Sequence, residues 1–364
     1  MGSLNVASAS LQFGIEIELL LGSRKKVHSS WKSLANDLSK RLTAAGIANH
    51  INDGGDKAVE HYREWSIVRE VTIPNQPAEG LYLELIFSAL KHSFVMAPSE
   101  NCSTHIHVSA TPLPLNSTEL SLLAKAALYF EPALDHLVPA ERRGSTAYWC
   151  QSNRASVALK ALRLVDCLAM LDAAVYPTPP STASCSPSSS QNSDGSLEGG
   201  SDMGSSSEQA AATRAVVETM NLFPAASAYG KAHAKKHDFI RGKVYKWDFT
   251  GMLAWSGGGP HGDGTTTAAA AATARGTVEF RQPPGSRSAE EAKGWVALVL
   301  AFVAGVTTAA SPAWSAAGSG SGAMGSGEVG GSVEELWGVV VYGASVLGWD
   351  GVGAADGIFA KRVV

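Results

Sequence analysis

Two stretches of this chain alternate apolar and polar residues, and a third spaces two histidines in the same way. In FGIEIELLL, Ile15 and Ile17 fall on one side and Glu16 and Glu18 on the other. In RGTVEFRQPPGS, Val278 and Phe280 alternate with Thr277, Glu279 and Arg281. NCSTHIHVSA places His105 and His107 two residues apart. A period of two is that of a strand with one apolar and one polar face. GLYLELIFSAL reads as a further strand, largely apolar with Glu84 inside it, leading toward a helix. HYREWSIVREVTIP reads as one or two short strands. A helical period appears in SSWKSLANDLSKRLTAAGI, where Trp31, Leu34, Leu38 and Leu42 share a face and Gly46 marks the end. NSTELSLLAKAALYFEPALDHLV predicts a second helix, capped by Asn116 or Ser117. WVALVLAFVAGVTTAA is apolar throughout but short for a membrane span, so it reads as a core helix.

Between these elements lie segments with little to bury. Residues Pro177 to Ala212 are rich in Ser, Pro and Gly and read as a disordered insertion. Residues 256–274 and 315–332 read as low-complexity loops. The remainder, 11–176 plus 213–364, is expected to form one catalytic domain. Strands occur early and late, with helices between them and no regular strand–helix alternation. That pattern predicts an α+β fold with a curved, mostly antiparallel sheet and helices on one face.

Composition narrows the function classes. The chain has 364 residues, 45% of them hydrophobic, which is enough for a substantial core. A formal net charge of −4, without a basic run, gives no reason to expect nucleic acid or an anionic membrane as partner. Cys102, Cys150, Cys167 and Cys185 are scattered, with no Cys-x-x-Cys pair, so reduced thiols in a cytoplasmic setting are expected. The first apolar run contains Glu16 and Glu18 and lacks a basic region ahead of it, unlike a signal peptide.

The ionisable residues at strand spacing carry the chemistry. Glu16 and Glu18, His105 and His107, and Glu279 and Arg281 each form a pair on one strand face, with Glu84 in addition. Any one pair is accounted for by a solvated face or a salt bridge. If they converge, two carboxylates ~5 Å apart repel by roughly 3 kcal/mol at an effective dielectric near 20. A divalent cation is the natural counter-charge, and carboxylates with an imidazole suit Mg²⁺ or Mn²⁺ better than structural zinc. Arg281 beside Glu279 is placed to hold a phosphoryl oxygen.

Taken in order, FGIEIELLL, EWSIVREVTI, LYLELI, CSTHIHVS, FEP, ERR, YWC and TVEFRQPPGS resemble the fungal-type amidoligases. These are carboxylate–amine ligases related to glutamine synthetase and glutamate–cysteine ligase. The resemblance spans about residues 11 to 310, apart from the low-complexity inserts. It implies a glutamine-synthetase-like catalytic fold and an ATP-dependent reaction through an acyl phosphate. The partners implied are a small-molecule or peptide carboxylate and an amine. By position it places Glu16, His107 and Glu279 on the nucleotide's magnesium, with His105 second to His107. Glu18 and Glu84 would hold a second metal near the carboxylate substrate. Arg281 and Glu18 would be catalytic, and Arg281 with Arg142 would contact the nucleotide. The chain departs from the family pattern at Glu70 and Thr72, where Asp and Ser are usual, at ELIFS, which lacks a following proline, and at Ser103, where glycine is common.

Two other readings stand beside this one. A non-catalytic member of the same fold would keep nucleotide and metal binding without the chemistry. A cupin-type metalloenzyme would use the two histidines on iron or manganese. It expects a carboxylate shortly after the histidine pair, whereas the next acid is Glu119.

Overall fold

The apolar sides of the alternating strands meet in one sheet. The computed structural model describes residues 10–52, 65–68, 81–97, 99–144, 149–176, 206–222, 244–254, 276–309 and 330–360. Strands β1 (Ser10–Ile17), β6 (Thr104–Thr111), β8 (Val278–Phe280) and β7 (Trp247–Asp248) form an antiparallel sheet in the order β1-β6-β8-β7. The register pairs Ile15 with Ile106, Ile106 with Phe280, and Phe280 with Trp247. One face is therefore an apolar row four strands wide, and all four side chains are buried.

A single helix covers that row. The 20-residue helix spanning Ala289–Thr308 is buried along most of its length. Its Phe302 ring lies 5.7 Å from Trp247, which in turn lies 4.5 Å from Phe280. The helix starts where Ser288 accepts from the Glu291 amide, with Glu290 and Glu291 favourable in the first turn. It is the core helix its composition predicts.

The other elements in chain order are β2 (Leu20–Ser23), α1 (Trp31–Ala44), β3 (Asn49–Asn52), β4 (Trp65–Val68), α2 (Leu81–Ser93) and β5 (Phe94–Ala97). Then come α3 (Ser117–Tyr129), α4 (Glu131–His136), α5 (Leu164–Val175) and α6 (Ser206–Asn221). The central helix is α7, followed by α8 (Val333–Val346) and α9 (Asp356–Ala360). Strands β2 and β5 pair antiparallel, and β3 and β4 pair parallel. Gly46, at φ +79°, closes α1 as expected. Asn116, not Ser117, caps α3, in a capping box with Glu119. Helices α7 and α8 approach through Gly305 and Gly343, where an added Cβ at Gly343 would lie 1.7 Å from the Ala301 carbonyl oxygen.

The mixed architecture with an antiparallel main sheet agrees with the sequence reading, and three details change. LYLELIF is helical. Leu83, Ile86, Phe87 and Leu90 are buried at positions i, i+3, i+4 and i+7 of α2. A continuous apolar run fits a buried strand and a helix equally, and here length and packing select the helix. The insertion expected to reach Ala212 gives way by Ser206 to α6, which buries Thr213, Val216, Val217 and Met220. Residues 177–205 and 256–274 lie outside the described residues. The loop expected through 332 is structured at its end: Gly331 packs against the Tyr129 and Phe130 rings, and Ser332 caps α8. Among the described residues the sheet's apolar face is covered by helices, so the second packed sheet of a cupin barrel is not formed there.

Candidate metal centre

Alternation that buries isoleucines on one face must place the charged residues on the other. Across the strands, Gly14 pairs with His107, His107 with Glu279, and Glu279 with Asp248. One step along, Glu16 pairs with His105, and the Arg281 amide donates to the Lys246 carbonyl at 2.8 Å. Gly14 contributes no side chain opposite His107. Glu16, His105, Glu279, Arg281 and Asp248 are all buried, and the His107 side chain is 16% exposed. The predicted strand pairs therefore converge on one polar face.

Glu16 is gripped by both histidines: His105 Nδ1 is 3.0 Å from Oε2 and His107 Nε2 is 2.9 Å from Oε1. Glu279 Oε1 lies 3.2 Å from His105 Nδ1 and 3.8 Å from His107 Nε2, and accepts from Arg281 Nη1. One ligand atom each from Glu16, His105 and Glu279 lie within 4.8 Å of one another. Burial alone would raise the Glu16 carboxyl, but the histidine hydrogen bonds and charges outweigh it and hold it at about 2. Burial pulls the His107 ring down, yet the charges of Glu279, Glu16 and Asp248 and the bond to Glu16 carry it above its usual value. The Asp248 carboxyl is raised by burial and by the charge of Glu279, against hydrogen bonds from Thr250.

Ser103 sets the state of His105. Its hydroxyl has one proton and gives it to Glu18 Oε2, 2.6 Å away. Toward His105 Nε2, also 2.6 Å away, it must then accept. The neutral ring therefore carries its proton on Nε2 and turns the Nδ1 lone pair onto Glu16 Oε2 and Glu279 Oε1. Lone pairs that converge in this way need a cation between them, either a proton on Nδ1 or a metal ion. A second partner that fixes the tautomer of a ligating imidazole is typical of metal sites. The donor set thus fits a hard divalent cation.

The sequence-predicted residues divide as follows. Glu16, Glu279 and Arg281 reach the centre. Both histidines do too, and His105 has the closer approach to the two carboxylates. Glu18 sits at the edge, its side chain 36% exposed, bonded by Ser103 and 4.0 Å from His105 Nε2. Glu84 is not brought there: it lies on α2, 59% exposed, and pairs with Lys293 of α7 at 2.7 Å. That corrects its expected place on a metal, and the cause is the helical period of its segment. Arg142 is buried and donates to the main-chain carbonyls of Gln282 and Arg281 at 2.6 and 2.7 Å. It braces the stretch just after β8 that carries Arg281. Arg281 Nε is buried with no hydrogen-bond partner, a donor left for an anion. Burial pushes the Cys150 thiol up, in keeping with a packing role. Glu70 and Thr72 lie outside the described residues. Asp248 and Ser103 were not singled out as site residues. The alternation in KWDF was the available signal for Asp248, on a strand too short to stand out.

Comparison with protein-family models, with curated proteins and with solved structures finds no match to this chain.

Proposed function

We propose that the protein is an ATP-dependent carboxylate–amine ligase of the amidoligase type, with a glutamine-synthetase-like catalytic fold. The observation that carries the site is the convergence of Glu16, His105 and Glu279, with a buried Arg281 that bonds Glu279 and keeps an unpartnered Nε. The ligase reading rests further on the order of the strand motifs in the sequence. Glu16, His105 and Glu279 would hold Mg²⁺ or Mn²⁺, with His107 beside them as an alternative imidazole. The cation, when bound, would neutralise the phosphates of ATP. Arg281 would donate to a phosphoryl oxygen through Nε while Arg142 keeps its stretch of chain in place. Glu18, at the open edge, would face the acid substrate and the incoming amine.

The test is calorimetric titration with ATP, with and without Mg²⁺, on the native protein and on Glu279→Gln. Magnesium-dependent binding that the variant loses supports the site and justifies screening acid–amine pairs for ADP release. Unchanged ATP affinity in Glu279→Gln removes the assignment. Binding without ADP release for any pair would favour a non-catalytic member of the fold.

A further inference from the structure

A separate group of charged side chains gathers around Lys246, the residue before β7. A cavity of about 500 Å³ opens between α4, the 152–155 turn and the start of α5. That is the size range of small-molecule pockets. None of its lining residues belongs to the metal centre. Glu131, Asp135 and Ser152, with Arg154 and Lys160, form its polar wall, and Leu159 and Leu164 contribute to its apolar wall.

The polar wall is pre-organised. Lys246, 1% exposed, reaches between the two carboxylates, 2.9 Å from Glu131 Oε1 and 2.6 Å from Asp135 Oδ1. Ser152 donates to Glu131 Oε2 at 2.7 Å. Gly144 N and the Gln282 side-chain amide donate to Asp135. Glu131 and Asp135 share the Lys246 ammonium, and Arg154 and Lys160 line the same cavity, so both signs of charge face it. A carboxylate accepts about four hydrogen bonds, and Glu131 has two, so acceptor capacity remains for a cation donor. Lys160, on the same lining, is exposed and its ammonium has no partner among the described residues.

We infer that this cavity binds a zwitterion with an apolar body, a free amino acid or dipeptide. Its ammonium sits on Glu131 and Asp135, its carboxylate faces Lys160, and its side chains lie against Leu159 and Leu164. The inference does not rest on the ligase reading. Lys246, whose carbonyl holds the Arg281 amide, and Gln282 join the site to the metal centre.

The experiment titrates the full chain, in EDTA, with L-leucine, L-leucyl-L-leucine, leucinamide and 4-methylpentanoate. Saturable binding of either zwitterion, at least tenfold tighter than both single-charge analogues, is expected. Lys160→Ala should weaken the zwitterion about tenfold and leave leucinamide unchanged. Ala155→Trp, which fills the cavity, should abolish binding in a protein that still melts cooperatively. Absence of zwitterion binding to the native protein overturns the inference. So does binding that neither variant changes. Because metal is chelated throughout, failure of the ATP site leaves this result intact, and the converse holds.

Discussion

Ser103 stands between Glu18 and His105, donating to the first and accepting from the second, each at 2.6 Å. This serine thus orients the imidazole that lies within 3.2 Å of both carboxylates. Removing an outer partner of a metal ligand typically costs 10–100-fold in metal affinity. Ser103→Ala should weaken Mn²⁺ binding by about that factor while leaving the fold intact, since the Ser103 amide still bonds Glu18. Titration calorimetry with Mn²⁺ checks it. Equal affinity in the two proteins would mean that Ser103 does not position a ligand.

The metal-free protein should depend on pH in a defined way. The folded Glu16 carboxyl is held at about 2, below its ordinary 4.5. Its contribution is therefore present above pH 4.5 and lost as pH falls toward 2, on the order of 3 kcal/mol in all. The His107 shift has the opposite sign. Its folded pKa is raised, so its contribution is full below pH 6.5 and fades as pH rises through the folded value. Metal needs the histidines neutral, so Mn²⁺ affinity should climb over that same alkaline limb. Urea unfolding in EDTA at pH 6 and pH 3, on native protein and Glu16→Gln, reads the acid limb. A variant that loses stability as steeply as the native chain would remove Glu16 as the cause.

Much of the polar face was legible because strand alternation is local. Glu16, His105, His107 and Glu279 needed only a period of two to be placed on strands. That they share one centre needed the pairing β1-β6-β8, which brings together residues up to 263 positions apart. Sequence spacing says nothing of that register. Glu84 misled because an unbroken apolar run has no period to read, and only burial at i, i+3, i+4 and i+7 reveals α2. Ser103 carries no signal in the spacing, and its role appears only once Glu18 and His105 flank it.

The contact between α7 and α8 should tolerate no side chain. A Cβ on Gly343 would lie 1.7 Å from the Ala301 carbonyl oxygen, which is backbone and cannot turn aside. Gly343→Ala should therefore force the helices apart and lower stability by about 1–3 kcal/mol or more. Gly338 lies on the same helix with nothing within 4 Å of its added Cβ. There the same change should stabilise by roughly 0.5–1 kcal/mol through helix propensity. Chemical denaturation of the two variants makes the comparison. Destabilisation of similar size in both would point to propensity and not to packing.

Arg142 tests whether the stretch that carries Arg281 needs its brace. Two parallel donors, Nε and Nη2, bond successive carbonyls at Gln282 and Arg281. A lysine keeps the charge but has no fork, so one carbonyl would be left without its bond. A buried acceptor without a partner costs about 1–3 kcal/mol, so Arg142→Lys should remain folded with a lower melting temperature. If Arg281 meets a phosphoryl oxygen, the same substitution should also weaken Mg²⁺-dependent ATP binding severalfold, through displacement of a residue that Arg142 touches only by its main chain. Arg142→Ala leaves both carbonyls bare and should be the less stable of the two. Parallel thermal melts and ATP titrations separate the effects. Lost stability with unchanged ATP affinity in Arg142→Lys would confine Arg142 to the fold. Lost affinity with an unchanged melting temperature would mean that its guanidinium itself contacts the nucleotide.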